Sequence, residues 1–351
     1  MKHIHMIKTG ALALTFSLLA TMGVSQDTKV TYFGHTGYTA KFDDNSATND
    51  QSAFNTGGFN MFITSELNER ITVLGEFFMG FKGDGGTVVN FNIERLYIKY
   101  AVNDKLNIRL GRMYTPLGFW NNRYTQGLVF QPTINRPYPV RNKDDKGIIS
   151  TNSVGLQLDG ENIGKYRFSY YLMVDNTAGA PSINTDNTTK KSVNAKIKIE
   201  PIENFELFTS IRTDYLTAGS QSVQGLPVAN DVQQTIYNVG VAHMTQASPF
   251  ELAAEYFNVT NDVATFGKSR SNLLYGYLGY RFGKITPYVL TDFLRFTARE
   301  RYFIPNDLSE FVIGARYAMT PAAVIKLEYE YVSTDVINRE NVLSVQVAAR
   351  F

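Results

Sequence analysis

Apolar residues rarely run together in this chain; over long stretches they occupy every second position. In NVLSVQVAARF (341–351), Leu343, Val345, Val347, Ala349 and Phe351 share one face, and Ser344, Gln346, Ala348 and Arg350 the other. VNAKIKIE sets Val193, Ala195, Ile197 and Ile199 against Asn194, Lys196, Lys198 and Glu200. In AAVIKLEYEYVS, Ile325, Leu327, Tyr329 and Tyr331 oppose Lys326, Glu328 and Glu330. A period of two marks a strand with two unlike faces. Sixteen such strands are expected, at 28–42, 55–67, 69–82, 88–102, 105–113, 150–159, 164–175, 190–200, 203–216, 233–245, 249–260, 271–282, 284–297, 309–319, 322–334 and 341–351. Fourteen and eighteen are the nearest even alternatives. FNIERLY falls out of step, with Phe91 and Ile93 on one phase and Leu96 and Ile98 on the other. That break marks either a β-bulge or a different register.

The connections alternate in length. Those at 67–70, 102–106, 159–165, 200–204, 245–249, 282–284 and 319–323 are tight. Those at 43–54, 83–87, 114–149, 176–189, 217–232, 261–270, 298–308 and 335–340 are longer and polar, 83–87 alone being short. A soluble sandwich has no reason to keep its short turns on one parity, whereas a membrane barrel has them at one rim. The expected fold is all-β: a transmembrane up-and-down antiparallel β-barrel of about 16 strands with a long inward-folding third loop. Both termini then lie at the short-turn rim, and closure removes the open edge that hydrocarbon does not tolerate. Apolar faces meet lipid and polar faces the lumen. Tyr100, Tyr215, Tyr256 and Tyr317 near strand ends suit interfacial girdles or ordinary cross-strand pairs.

The first residues add a targeting segment. Lys2 and Lys8 precede an apolar core, ALALTFSLLA, and small Gly23 and Ser25 follow. This is the pattern of a cleaved export signal, and the run is shorter than the roughly 20 residues of a membrane span. The expected division is a signal peptide at 1–25, cut between Ser25 and Gln26, and a barrel at 26–351. Without Lys2 and Lys8, the 34 basic residues become 32, equal to the 32 acidic ones. A generally basic surface for nucleic acid is therefore unsupported. There is no cysteine, which excludes disulfides, thiolate metal sites and lipidation at a cysteine.

Catalytic chemistry finds little footing. The mature chain has two histidines, His35 in YFGHTGY and His243 in VGVAHMT, and neither is flanked by a serine. A lipid-cleaving barrel enzyme would need a nucleophile beside one of them. No metal-ligand spacing occurs, no glycine-rich loop precedes a helix, and no cofactor is implied.

The longest connection, 114–149, is the informative one. It holds the only tryptophan, Trp120, with Pro116, Pro132, Pro137 and Pro139 out of eleven prolines. Arg112, Arg123, Arg136, Arg141, Lys143 and Lys146 lie in or beside it against Asp144 and Asp145, a local excess of four positive charges. Prolines and aromatics favour an ordered loop, and long ordered loops are usually functional. Folded into the lumen, its arginines would narrow the channel and bias it towards anions, because guanidinium forks suit phosphate and carboxylate oxygens. Arg109, with Arg95 and Lys99, extends this set along the wall.

GRMYTPLGF at a strand end, followed by a basic, proline-containing loop with RP, resembles the phosphate-selective porin O/P family of Gram-negative bacteria. The resemblance implies an exported sixteen-stranded barrel of the outer membrane, typically a homotrimer, that passes anions such as phosphate. Carried onto this chain, it points to Arg112, Arg123, Arg136 and Arg141 at the constriction and to Lys143 and Lys146 as outlying attractors. The terminal Phe351 resembles the C-terminal signal read by the outer-membrane assembly machinery. Two features depart from the family: the mature chain is neutral, and Glu76, Glu206, Asp214, Glu251, Glu255, Glu328 and Glu330 fall on the lumen phase. The leading expectation is a passive outer-membrane diffusion porin for small hydrophilic solutes, preferring phosphate or organic anions. Its expected partners are small anionic solutes, the lipid bilayer, lipopolysaccharide and the assembly machinery. The alternative is a plugged structural barrel of an envelope or secretion assembly.

Overall fold

A computed structural model describes residues 27–43, 50–82, 88–124, 129–141, 147–179, 186, 188–224, 226–297, 299–300, 302–304, 306–335 and 339–351. The expected export signal, with Ser25 and Gln26, lies outside them, as do Lys143 and Lys146. The described chain forms sixteen strands. The first eight are β1 (Asp27–Asp43), β2 (Gln51–Glu66), β3 (Ile71–Lys82), β4 (Val88–Asn103), β5 (Leu106–Tyr114), β6 (Asn152–Ile163), β7 (Phe168–Asp175) and β8 (Ser192–Ile202). The rest are β9 (Phe205–Leu216), β10 (Val232–His243), β11 (Phe250–Val263), β12 (Gly267–Tyr280), β13 (Ile285–Phe296), β14 (Leu308–Thr320), β15 (Ala323–Thr334) and β16 (Glu340–Arg350).

Each strand pairs antiparallel with its neighbours in sequence, and β1 pairs with β16 to close the barrel. The seam runs from Phe33 opposite Arg350 to Asp43 opposite Glu340. At its end Tyr32 and Phe351 exchange backbone hydrogen bonds, N to O, of 2.9 and 3.0 Å. The largest departures from the expected boundaries are at the starts of β2, β7 and β12 and at the end of β6. The expected 261–270 loop is a tight turn between Val263 and Gly267, whose φ is +77°. Where β2 and β12 run past the expected bounds, polar residues at the strand ends hide the alternation, whereas β7 begins later than expected, after Arg167 at φ +47°.

The faces are inverted relative to a soluble sheet. On β15, Lys326, Glu328 and Glu330 are buried, whereas Leu327 and Tyr329 are 49% and 44% exposed. On β8, Asn194 and Lys196 are buried and Val193 and Ile197 face outward. The out-of-step run on β4 is a bulge. Arg95 and Ile93 pair with Glu76 and Phe77, so Glu94 is the extra residue. The bulge brings Phe91 and Ile93 onto the same outer face as Leu96 and Ile98 despite their different parity. Of the four tyrosines, Tyr256 lies midway along β11, opposite Leu274, and bonds Asn272 through its hydroxyl at 2.7 Å.

A uniformly polar lumen was expected, and half of it is otherwise. Phe208, Ile236, Phe257, Tyr275, Tyr277, Tyr288 and Leu290 point inward from β9–β13 and are buried. They pack on Leu117, Phe119, Trp120, Tyr124, Val140 and Ile148 of the long connection between β5 and β6. Val223, Val228, Tyr302 and Phe303 from two rim loops complete this core. Glu300 fixes the second of those loops by accepting from the backbone N–H groups of Tyr302 (2.7 Å) and Phe303 (3.0 Å) and from Ser269 Oγ (2.9 Å). Each fully buried aliphatic or phenyl side chain contributes about 1.5–3 kcal/mol. The barrel therefore has a dry half along β9–β14 and a wet half along β1–β8 and β15–β16.

Candidate functional site

The connection between β5 and β6 enters the lumen and stays on the wall. Its neck is closed by Thr115 N–H donating to Thr151 O (3.1 Å) and by Asn121 Nδ2 donating to Thr115 O and Thr151 O (both 3.1 Å). Beyond the neck, α1 (Trp120–Arg123) lies against β8–β12. Trp120 N–H donates to Glu255 Oε1 at 2.9 Å, the Tyr275 hydroxyl donates to the same carboxylate, and Asn238 Nδ2 reaches its other oxygen at 2.9 Å. Gly118 has φ +75°, and a Cβ there would run into Glu255. Lys196 Nζ donates to Gly118 O (2.5 Å) and Asn122 Oδ1 (2.9 Å). The indole of Trp120 meets the rings of Tyr124, Tyr275 and Tyr277 edge-on, with centroids 5.2, 5.7 and 5.9 Å away. Burial pushes the Tyr124 hydroxyl up to about 12.

The second limb of the loop runs along β13–β16. Ile134 N–H donates to Glu328 (2.7 Å), Asn135 Nδ2 to Glu330 (3.1 Å) and Tyr138 N–H to Asp292 (3.2 Å). Lys326 Nζ in turn donates to Thr133 O at 3.0 Å. A 3-10 turn, Tyr138–Val140, brings Arg141 to Glu310 at 2.5 Å and Glu330 at 3.5 Å. Burial alone would weaken the Arg141 guanidinium's hold on its proton, but Glu310, Glu330 and Asp292 more than reverse this. Buried ion pairs hold only where geometry and further hydrogen bonds offset desolvation, and here they fasten a loop to a wall.

The lumen acids thus have partners. Glu255, Glu328 and Glu330 hold the loop. Glu251 is paired with Arg316 at 2.7 Å, Asp214 with Arg212 at 3.0 Å, Glu76 with Arg95 at 2.6 Å, and Glu206 lies 3.7 Å from Lys198.

Two cavities flank the loop. A vestibule of about 650 Å³ opens towards the long-loop rim between the second limb and β1, β2 and β13–β16, and His35, Lys41, Asn55, Arg136, Arg141 and Gln346 line it. A chamber of about 150 Å³ lies under the first limb on the short-turn side, among Arg95, Arg109, Tyr171 and Lys196 of the wall and Pro116 and Asn122 of the loop. Arg109 pairs with Asp159 at 2.8 Å and lies 3.6 Å from Glu161.

The basic residues singled out by the sequence are not one cluster. Arg136 and Arg141 lie together, the latter's Nε donating to Arg136 O at 3.0 Å, while Arg136 Nη2 donates to Asn121 Oδ1 at 3.2 Å. Arg109 shares the lumen face of β4–β5 with Arg95 and Lys99, across the barrel from that pair. Arg112 falls on the opposite, outer parity: it stands opposite Leu96 and donates to Ile93 O and Asn152 Oδ1, each at 2.7 Å. Arg123 is exposed at the end of α1, next to Tyr124. Phe351 is on the outer face, stacked with Tyr32 (6.0 Å) and close to Phe59 (6.1 Å). Lys196 and Lys326 were legible as lumen-phase charges, but sequence gave no sign that loop carbonyls would receive them. On β10, seven strands round the sheet from His35, His243 donates from Nδ1 to Asn204 O at 3.0 Å. Among the described residues no cluster of His, Cys, Asp or Glu is placed to hold a metal.

No family model and no curated relative matches the chain. Solved structures do. An anion-selective porin from Comamonas acidovorans superposes with a TM-score of 0.66 at 12% identity, over 93% of this chain and 100% of that one. The outer-membrane channel DcaP of Acinetobacter baumannii gives 0.65 at 11% identity, over 93% and 97%. In-vitro folded OmpT of Vibrio cholerae, in its trimer form, gives 0.59 at 13%, over 92% and 99%. The shared property is the fold.

Proposed function

We propose that this protein is a passive diffusion channel of the bacterial outer membrane for small hydrophilic solutes, with a preference for anions. The observation that carries the reading is the wall-fastened loop with a cavity on each side of it. Solute would cross from the vestibule past Arg136 and Arg141 to the chamber at Arg109 and leave at the short-turn rim, down its own gradient. Guanidinium groups along that path would bias ion occupancy through the local field. Phosphate remains the solute suggested by the sequence resemblance, and organic anions fit the same groups. The apolar belt suits the bilayer, the long-loop rim suits lipopolysaccharide, and Phe351 suits recognition by assembly machinery. The trimeric form of one structural neighbour supports a homotrimer here.

A second reading is a plugged barrel, favoured by the dry half and its rim loops. Planar-bilayer recording under a salt gradient separates the two. Stable openings with an anion-selective reversal potential support the channel. Cation-selective openings retain the pore and remove the arginine preference, and silence transfers the weight to the plug.

A further inference from the structure

We propose that the chamber between β4–β8 and the loop is a binding station for a small monocarboxylate with a short apolar body, such as propionate. The proposal rests on the channel reading for its purpose but stands on its own geometry. Three cations border a space of about 150 Å³: the guanidinium groups of Arg95 and Arg109 and the ammonium of Lys196. Each is held by something else, so each presents a fixed remainder. Arg95 engages Glu76 through Nε at 2.6 Å, with its guanidinium carbon 4.6 Å from the Tyr114 ring centre, and among the described residues no hydrogen bond is made by its terminal nitrogens. Arg109 donates to Asp159 Oδ2 through Nη2 at 2.9 Å, with Nε 2.8 Å from Oδ1 but not hydrogen-bonded to it. Lys196 spends two of its three donors on the loop. Both arginines retain about one fifth of their side-chain surface.

Charge balance and wall chemistry choose the ligand. Glu76, Asp159 and Glu161 stand against the three cations, so the chamber lacks the excess positive charge that a multivalent phosphate would need on leaving water. A monoanion with a planar two-oxygen head matches the terminal edge of the Arg95 guanidinium fork. Met113, Pro116 and the ring of Tyr171, whose hydroxyl is turned to Glu161 at 3.0 Å, give a short hydrocarbon body an apolar surface.

The test is calorimetric titration of the detergent-folded full chain with sodium propionate and with sodium phosphate. Propionate should bind saturably with a Kd on the order of millimolar, and phosphate at least about tenfold more weakly. Arg95→Gln should weaken propionate by at least about fivefold with unchanged circular dichroism. If Arg95→Gln misfolds through the orphaned Glu76, the Arg95→Gln/Glu76→Gln pair provides the same readout. Phosphate binding as tightly as propionate, or propionate affinity unchanged in the folded variants, overturns the proposal. Binding without bilayer conductance would sink the channel reading and keep the station; conductance without propionate binding would do the reverse.

Discussion

Arg141 illustrates how far a basic residue's role depends on what it touches. Its guanidinium lies over the Tyr138 ring (5.0 Å to the centroid) and between Glu310 and Glu330, so it fastens the loop before it meets any solute. Arg141→Ala would leave those carboxylates buried without their cation, at a cost of about 3–5 kcal/mol. A thermal melt followed by circular dichroism should show it, and an unchanged melting point would remove the fastening role. Arg136→Ala, which removes the bond to Asn121, should lower the melting point less than Arg141→Ala and shift the reversal potential towards cations; no shift would take Arg136 out of the ion path. Tyr124 reports on the seat of the loop through pH. Its value of about 12 lies above the ordinary 10, so the folded state favours the neutral phenol. That stabilisation is whole below pH 10 and is lost as pH rises towards 12, on the order of 2 kcal/mol. Trp120 emission, sensitive to the neighbouring Tyr124 ring, should change over that alkaline window and stay flat between pH 6 and 9.

At the level of elements, the loop and the wall of β9–β14 are complementary halves of one core. Gly118 packs directly on β11, and Gly118→Ala adds a Cβ against Glu255 at a positive φ. A cost of about 1–2 kcal/mol is expected from the backbone conformation alone, read as earlier release of Trp120 in urea. The strands themselves were legible, since lipid on one side and water on the other impose a period of two that VNAKIKIE and AAVIKLEYEYVS carry openly. The bulge was legible as a phase break, with Glu94 identifiable only once Glu76 and Phe77 showed their partners. What sequence could not convey was the dry half. Phe208, Phe257 and Tyr275 alternate as any inward residue would, and nothing in their spacing says that another segment, rather than water, covers them. The same gap hid the fate of the arginines, because Arg136 and Arg109 are equally basic in sequence and lie on different walls in space.

For the molecule as a whole, closure is the decisive contact. β1 and β16 meet along eleven residue pairs, from Phe33–Arg350 to Asp43–Glu340, with Lys41 Nζ 3.2 Å from Glu340 Oε1 across a separation of 299 residues. Phe351 finishes the seam with two backbone bonds and two ring contacts. Removing it should slow membrane insertion in a folding assay against lipid vesicles while leaving the conductance of inserted barrels unchanged; altered conductance at normal insertion would place its role elsewhere. The seam also sets a clock. Every other pair of strands joins neighbours in sequence and can form as soon as both exist, but this pair waits for the far end of the chain, and contacts of such separation form slowly. Until then the sheet has two raw edges, each able to accept a strand from another molecule, so the interval before closure is when a chaperone matters most and when aggregation competes.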